Sequence, residues 1–184
     1  DEAEKQTRAI GKIDDWTDDE SKRLFEMIGL GALKFFLLKV DPKKRMLFDP
    51  NESIQLQGFM GPFIQYTHAR IRAIMRKAES INIIVTSDDL LKVVSLEPAE
   101  RDVLSLLSMF ELKLREAAKE YSPAVIANYA FELAKEYNKF YQNIPIFSEA
   151  DLSKVKFRVA LSESIANAIR KAMGLLGITV PDKM

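Results

Sequence analysis

The sequence contains no cysteine and only one histidine, His68, among its 184 residues. The absence of cysteine excludes disulfides, thiolate metal sites and a cysteine nucleophile, and we expect a reducing compartment, the cytoplasm. A single histidine excludes a two-histidine zinc site or nucleotide-binding motif. His68 falls on the apolar side of the helix predicted around it, which favours a hydrogen-bonded structural role over catalysis.

The chain also has no long apolar run and no excess of charge. No segment approaches the roughly 20 apolar residues needed to span a bilayer, so we expect no membrane partner. The 27 Lys and Arg residues balance 27 Asp and Glu residues, and the formal net charge is zero. Any affinity for nucleic acid must therefore come from local clusters of cations. The length suits one large or two small globular domains.

Some short patterns resemble functional motifs without completing them. Gly29 and Gly31 resemble the start of a phosphate-binding loop, but no GxGxxG or GKS/T pattern follows. Close packing or a helix start explains these glycines better. The acidic residues 18–20 follow the predicted N-cap Thr17 and suit the positive end of a helix dipole, so they require no metal. The sequence shows no nucleophile–base pair and no metal-ligand pattern, and we expect no catalytic residue and no metal in this chain.

Apolar periodicity, caps and prolines predict a mainly α fold. Helices are expected at about 1–10, 18–27, 32–40, 62–78, 87–94, 98–110 with an extension toward 121, 123–141 and 152–176, with a short β element at 46–48. Three to five antiparallel helices with short connections form a bundle. A composition shift near 79–86 predicts two parts, namely residues 1–80 and a helical bundle at 81–184.

One predicted helix, which begins at Pro62, has two contrasting faces. One face is apolar and includes Ile64, Ile71 and Ile74. The opposite face carries Gln65, Tyr66, Arg70, Arg72, Arg76 and Lys77, with Phe63 at its border. Guanidinium groups bind phosphates bidentately and aromatic rings stack on unpaired bases, so this face suits an RNA strand. Composition alone favours the alternative, a solvated basic face.

The order of residues resembles a known family. The segment Gly61-Pro-Phe-Ile-Gln-Tyr-Thr-His-Ala-Arg-Ile-Arg72 is similar to the GPYxQYAHARIRS segment of arginyl-tRNA synthetases. Segments with matching order and spacing are Gly29-Leu-Gly-Ala-Leu-Lys-Phe-Phe-Leu-Leu, Phe48-Asp-Pro, Leu56-Gln-Gly, Leu133-Ala-Lys-Glu-Tyr-Asn-Lys-Phe-Tyr and Gly174-Leu-Leu-Gly-Ile-Thr-Val-Pro-Asp-Lys-Met184. The segment Arg158-Val-Ala-Leu-Ser-Glu fits the DALR anticodon-binding domain of that family. The resemblance covers essentially the whole chain.

The resemblance implies a carboxy-terminal fragment of an ATP-dependent ligase that joins arginine to its tRNA. Residues near Asp1 resemble those that follow the KMSKS loop, so the HIGH motif, the KMSKS loop and the amino-terminal tRNA-binding domain are expected outside this chain. The fragment is then expected to bind the anticodon arm of tRNA(Arg) without catalysis or cofactor, with the catalytic domain as its partner in cis. The full-length enzyme would use ATP with Mg. Residues 1–80 would be a stem-contact region and 81–184 the DALR-type bundle.

The resemblance also implies individual contacts. Phe63 and Tyr66 match two aromatic residues that approach the anticodon loop, although Phe63 replaces the usual tyrosine and loses its hydroxyl. Tyr141 matches an aromatic residue that lines the anticodon pocket. Met184 matches the terminal methionine close to the anticodon bases, which suggests an intact natural carboxy terminus. Helix geometry adds four candidates for phosphate or base contacts, namely Gln65, Arg70, Arg72 and Arg76. About half of these are expected to touch RNA.

The alternative is a helical protein–protein interaction module without RNA affinity. On this alternative, four residues matched to the family need not converge on one exposed surface, namely Phe63, Tyr66, Tyr141 and Met184. We also expect that separation from the catalytic domain exposes an apolar patch around Leu33, Phe35 and Phe36. Such a patch would favour dimerisation of the fragment.

Overall fold

The computed structural model describes residues 17–41, 43–47 and 58–184 of the chain. Seven helices occur within these residues, namely α1 (Asp18–Leu38), α2 (Gly61–Ser80), α3 (Ser87–Leu90), α4 (Pro98–Ser108), α5 (Phe110–Glu120), α6 (Pro123–Asn143) and α7 (Leu152–Leu175). The described part of the chain contains no strand. The predicted mainly α fold is confirmed.

The part of the predicted short β element that lies within the described residues is not a strand. Met46 and Leu47 are in no strand, and Phe48 lies outside the described residues. Leu47 is 91% exposed, and the described residues offer no neighbouring strand with which this segment could pair. The helix predicted at 1–10 also lies outside the described residues.

Helix α1 begins at the predicted capping box. The Thr17 hydroxyl accepts from the Glu20 backbone N–H, and the Glu20 carboxylate accepts from the Thr17 N–H at 2.9 Å. The helix then continues through Gly29 and Gly31 to Leu38. The two helices predicted at 18–27 and 32–40 are therefore one helix, and the prediction of a break at the glycines was wrong.

The glycines of α1 and α2 permit a close approach between these two helices. A Cβ atom at Gly31 would lie 2.6 Å from Nε2 of Gln65, and one at Gly61 would lie 2.9 Å from Cβ of Phe35. Neither distance is tolerable between non-bonded heavy atoms. Tertiary packing explains these glycines, as the close-packing interpretation of Gly31 proposed.

The hydrophobic core lies between α2, α6 and α7. Fully buried side chains come from all three helices, namely Ile64 and Ile71, Leu133 and Tyr137, and Ile165, Ile169 and Met173. Helices α4 and α5 both pack against α6, and the predicted continuous helix toward residue 121 is interrupted at Met109. The predicted boundary between residues 80 and 81 directly follows α2 and stays a prediction.

A buried ion pair joins α4 to α7. Arg158 donates from Nε to Oε1 of Glu100 at 2.7 Å, and the two side chains are 2% and 1% exposed. Its NH1 group also donates to the carbonyl of Pro145 and to Glu149, at 2.8 and 3.0 Å. Hydrogen bonds from the Asp151 backbone and from Arg158 hold the pKa of Glu149 below its usual value. Arg158 thereby fixes the connection between α6 and α7.

The exposed side of α1 carries a stripe of leucines, which we call the leucine stripe: Leu30, Leu33 and Leu37 are 57%, 39% and 48% exposed. Phe35 and Phe36, which the sequence placed in an exposed patch, are 0% and 4% exposed and belong to the interior. That part of the prediction was wrong, because the buried face of α1 is the one that meets α2. Among the described helices, none has the length and hydrophobicity that a membrane crossing requires.

Candidate nucleic-acid interface

An open groove of about 380 Å³ lies where α2, the end of α6 and the carboxy-terminal segment meet. Its lining residues are Tyr66, Ala69, Arg70, Ala73, Arg76, Tyr141, Lys183 and Met184. Among these described lining residues, three carry a positive side chain and none carries an acidic one. The groove therefore combines two aromatic rings, three cations and an apolar floor.

Helix α2 supplies the floor of the groove because its lining residues recur every three or four positions. Tyr66, Arg70 and Ala73 follow one another along the helix surface, with Ala69 between them. The small alanine side chains lower the surface between the larger ones, so a flat ring or a sugar–phosphate segment has room to approach.

Two tyrosines meet around one arginine in this groove. The guanidinium carbon of Arg70 lies 4.8 Å from the ring centroid of Tyr66 and 5.1 Å from that of Tyr141. Both distances are within the range of cation–π attraction. Tyr66 is half-buried and Tyr141 is 39% exposed, so both rings remain accessible from the groove.

The carboxy-terminal segment reaches the groove by folding back along α2. Gly177, with φ of +68°, ends α7 as predicted. The Nδ1 atom of His68 lies 2.8 Å from the carbonyl oxygen of Pro181. Since a carbonyl only accepts, Nδ1 carries the proton, and burial holds the pKa of His68 below its usual value. His68 is fully buried, which agrees with the predicted structural role.

Gln65 does not belong to the groove. It is fully buried, and its Nε2 donates to the carbonyl oxygens of Met27 and Thr179 at 3.2 and 2.8 Å. The side chain thus ties α1 to the carboxy-terminal segment. Its nomination as an RNA contact is corrected, because both α1 and that segment cover the side of α2 on which it lies.

Three arginines contact Asp182 and hold the carboxy-terminal segment where it enters the groove. Arg72 Nε lies 3.3 Å from the Asp182 carboxylate and Arg170 donates to it at 2.7 Å. Arg76 donates to the Asp182 backbone carbonyl at 2.9 Å while it also lines the groove. Arg72 lies outside the groove and pairs with Asp182 of the carboxy-terminal segment. Its position therefore does not support the predicted contact with RNA.

Met184 and Phe63 occupy different surroundings. Met184 lines the groove and also packs against the small cluster formed by Leu24 and Ile28 of α1. Phe63 is half-buried and packs against Phe131, with ring centroids 5.5 Å apart. The structure therefore brings Tyr66, Tyr141 and Met184 together, and it places Phe63 away from them in the packing between α2 and α6.

Sequence reasoning missed two groups that shape the groove. Lys183 lines it directly and is the neighbour of the terminal residue that was nominated. Asn138 lies one turn before Tyr141 and accepts a hydrogen bond from Arg70. The sequence signal for Asn138 was its spacing, because it lies three residues before the predicted site residue Tyr141 on the same helix. Among the described residues, no group of three or more His, Asp and Glu side chains is placed to hold a metal.

Comparisons with known proteins agree with this geometry. The family model described as "DALR anticodon binding domain" matches residues 64–184. The arginine–tRNA ligase of Flavobacterium psychrophilum is 46% identical over 182 residues, which are 99% of this chain and 29% of that protein. The arginine–tRNA ligase of Amoebophilus asiaticus is also 46% identical over 182 residues, 99% of this chain and 30% of that protein.

A solved arginyl-tRNA synthetase from Thermus thermophilus superposes with a TM-score of 0.83 at 31% identity, over 100% of this chain and 31% of that one. The synthetase from Plasmodium falciparum gives a TM-score of 0.82 over 100% of this chain and 32% of that one, and at 21% identity it supports the fold alone. This chain spans about 30% of the length of the curated relatives.

The resemblance to arginyl-tRNA synthetases that the sequence predicted is thereby confirmed. The matched region contains all but the first three residues of α2, all later helices and every residue that lines the groove. Because the match extends over more than half of the residues, this chain belongs to the family of DALR anticodon-binding domains.

Proposed function

We propose that this chain binds the anticodon arm of tRNA(Arg) as the carboxy-terminal part of an arginine–tRNA ligase. The observation that carries this proposal is the groove in which Tyr66, Tyr141 and Met184 meet three cations. Its position inside the region matched to an anticodon-binding family supports the same conclusion. The names of the relatives supply the amino acid and its tRNA.

The groove offers the two kinds of contact that an anticodon loop needs. Aromatic rings stack on unpaired bases, and each stacked base contributes about 1–3 kcal/mol. Arg76 and Lys183 are placed to attract phosphates along the rim. Because the net charge of the chain is zero, the affinity of this chain alone is expected to be modest, with most of the phosphate contacts of the enzyme made elsewhere.

The chemistry of the ligase would belong to another part of the enzyme. We propose that a catalytic domain, connected in cis, activates arginine with ATP and Mg, and that this chain positions the tRNA in the cytoplasm without contributing a catalytic residue. Residues 1–80 would include contacts to the tRNA stem. On this proposal the isolated chain binds RNA and does not aminoacylate it.

The leucine stripe is a second candidate interaction surface. Three neighbouring leucines on one exposed helix face form an apolar contact surface. We propose that they contact the catalytic domain in the whole enzyme and that they promote dimerisation of the isolated chain. Sedimentation equilibrium tests the second part, because Leu33→Glu should convert a dimer into a monomer, whereas a monomeric parent chain would contradict it.

The decisive test of RNA binding is a titration with the anticodon stem-loop of an arginine tRNA at two salt concentrations. A stem-loop with the central anticodon base changed serves as the RNA control. Tyr66→Ala and Tyr141→Ala should each weaken binding about 5- to 150-fold, the equivalent of one lost stack. Tyr121→Ala, at a tyrosine that is 88% exposed outside the groove, should leave binding unchanged.

The outcomes separate three situations. Discrimination between the loops, lost in both groove variants, would establish this chain as an anticodon reader. Equal weak binding to both loops would mean that specificity needs the whole enzyme. No binding even at low salt would leave the family assignment unchanged and would refute the proposal that this chain binds RNA alone.

A further inference from the structure

Arg70 occupies an unusual place for a phosphate-binding residue. Its guanidinium carbon lies within 5.1 Å of both ring centroids, that of Tyr66 on its own helix and that of Tyr141 on α6. The side chain thus contacts both aromatic residues of the groove.

A hydrogen-bond network fixes the orientation of Arg70. Its NH1 group donates to Oδ1 of Asn138. The Asn138 amide in turn donates to Thr67 Oγ1 at 2.7 Å and to the carbonyl oxygen of Ala134 at 2.9 Å. Thr67 donates to the carbonyl of Phe63 at 2.8 Å. The acceptor of the guanidinium is therefore held by both α2 and α6.

The Tyr141 ring also has a support on the core side. Its centroid lies 6.5 Å from that of Tyr137, and the two ring planes are inclined by 22°. Tyr137 is fully buried, and its hydroxyl lies 3.0 Å from the hydroxyl of Ser162. Tyr137, Tyr141, Arg70 and Tyr66 consequently form a continuous column from the core to the groove, which we call the Arg70 column.

We propose that Arg70 is a positioning residue that holds Tyr66 and Tyr141 at a fixed separation, so that the groove is prepared to stack unpaired bases. This inference rests on the proposed function, and it replaces the expectation that Arg70 binds phosphate or a base. A planar guanidinium can contact two rings and donate to a fixed amide at once. Lysine carries the same charge, but its compact ammonium group cannot reproduce this arrangement.

The RNA-based test compares Arg70→Lys and Arg70→Met with Lys183→Met at several salt concentrations. If Arg70 positions the rings, Arg70→Lys should weaken stem-loop binding at least 10-fold at every salt concentration, with the slope of log K against log salt unchanged. Loss of a phosphate contact instead lowers that slope by about 0.7 for single strands. Lys183→Met provides the comparison, because it removes a groove cation that has no role in the Arg70 column.

Wild-type affinity in Arg70→Lys would overturn the proposal, and so would a decrease in slope for Arg70→Met equal to that of a lost phosphate contact. Circular dichroism and thermal unfolding of each variant show that the bundle is intact. Failure of the parent chain to bind any stem-loop would refute the proposed function, and a second measurement then decides the role of Arg70 by itself.

That second measurement is fluorine NMR of the chain labelled with 3-fluorotyrosine, which needs no RNA. The chain has five tyrosines, and single Tyr→Phe variants assign their signals. Arg70→Lys and Arg70→Met should both shift the resonances of Tyr66 and Tyr141, while Tyr121, outside the Arg70 column, keeps its position. Unchanged resonances of the two groove tyrosines in both variants would show that Arg70 does not position them.

Discussion

Replacing Arg158 by methionine would test how much the buried ion pair between α4 and α7 contributes to stability. The Arg158 Nε and the Glu100 carboxylate are 2.7 Å apart, and both side chains are almost completely buried. Methionine carries no charge, and its unbranched side chain extends about as far as the arginine Nε. In the variant, the buried Glu100 carboxylate would lose its counter-ion and keep only the hydrogen bond from the Glu97 N–H.

The expected loss follows from this geometry. At an effective dielectric constant of about 20, two unit charges 2.7 Å apart attract each other by about 6 kcal/mol, part of which only offsets the cost of removing both from water. Removing one member of a buried pair typically costs 3–5 kcal/mol, because the other charge is left uncompensated. We expect Arg158→Met to lower the free energy of unfolding by about 3–5 kcal/mol.

Urea denaturation measures this loss, and the chain offers a matched control. Arg115 and Glu111 form an equally short pair, 2.6 Å, but their side chains are 76% and 75% exposed. Arg115→Met should therefore cost only about 0.3–0.5 kcal/mol. A second comparison is the double variant Arg158→Met/Glu100→Gln, which removes the buried charge and keeps an oxygen that can accept from a backbone N–H. It should recover part of the loss, because the hydrogen bonds from Arg158 to Pro145 and Glu149 stay absent.

Two results would refute this reasoning. A cost for Arg158→Met no larger than that of Arg115→Met would show that burial of the pair has no energetic consequence. A double variant as unstable as the single one would show that the uncompensated Glu100 charge is not the cause. Both comparisons require an unchanged m-value, so that differences in the urea midpoint report stability alone.

The remaining predictions concern packing and acid stability. Gly61→Ala should destabilise the chain by about 1–3 kcal/mol through overpacking, because its Cβ would lie 2.9 Å from that of Phe35, whereas Gly174→Ala, with nothing within 4 Å, should be neutral or stabilising in thermal unfolding. Equal effects of the two would contradict the close-approach argument. Hydrogen bonds from Thr86 and Lys156 lower the pKa of Asp89 to about 2. The contribution of the Asp89 carboxylate to the free energy of unfolding should be complete above about pH 4 and lost as the pH falls toward 2. Asp89→Asn should therefore flatten this part of the plot of unfolding free energy against pH. An identical profile in that variant would contradict the shift.

Local signals in the sequence predicted most of the helices. Thr17 and Glu20 form the predicted capping box, Pro62 lies in the first turn of α2, and Gly177 ends α7. These predictions succeeded because caps, prolines and positive φ angles act within one turn. The prediction of a helix break failed at Gly31, where contact with another helix 30 residues later determines the need for glycine.

The candidate site could be predicted only in part, for a physical reason. Helical periodicity places Gln65 and Tyr66 on one side of α2, but it does not tell which part of that side another segment covers. The carboxy-terminal segment and α1 cover Gln65 and leave Tyr66 in the groove. Tyr141 and Met184 were assigned through the family resemblance, since no local pattern connects residues so far apart in sequence.

The bonds that hold the carboxy-terminal segment along α2 have a consequence for how such a groove can change. Gln65, His68 and Arg76 all bond to main-chain oxygens of that segment. These main-chain bonds act together with the Asp182 ion pairs and the buried side chains of Ile178 and Val180 to set the path of the segment. All these anchors precede Lys183, which is exposed and lines the groove, so substitutions of Lys183 would alter what the groove accepts at little cost to folding. By the same reasoning, an affinity tag fused after Met184 would emerge inside the groove and obstruct it.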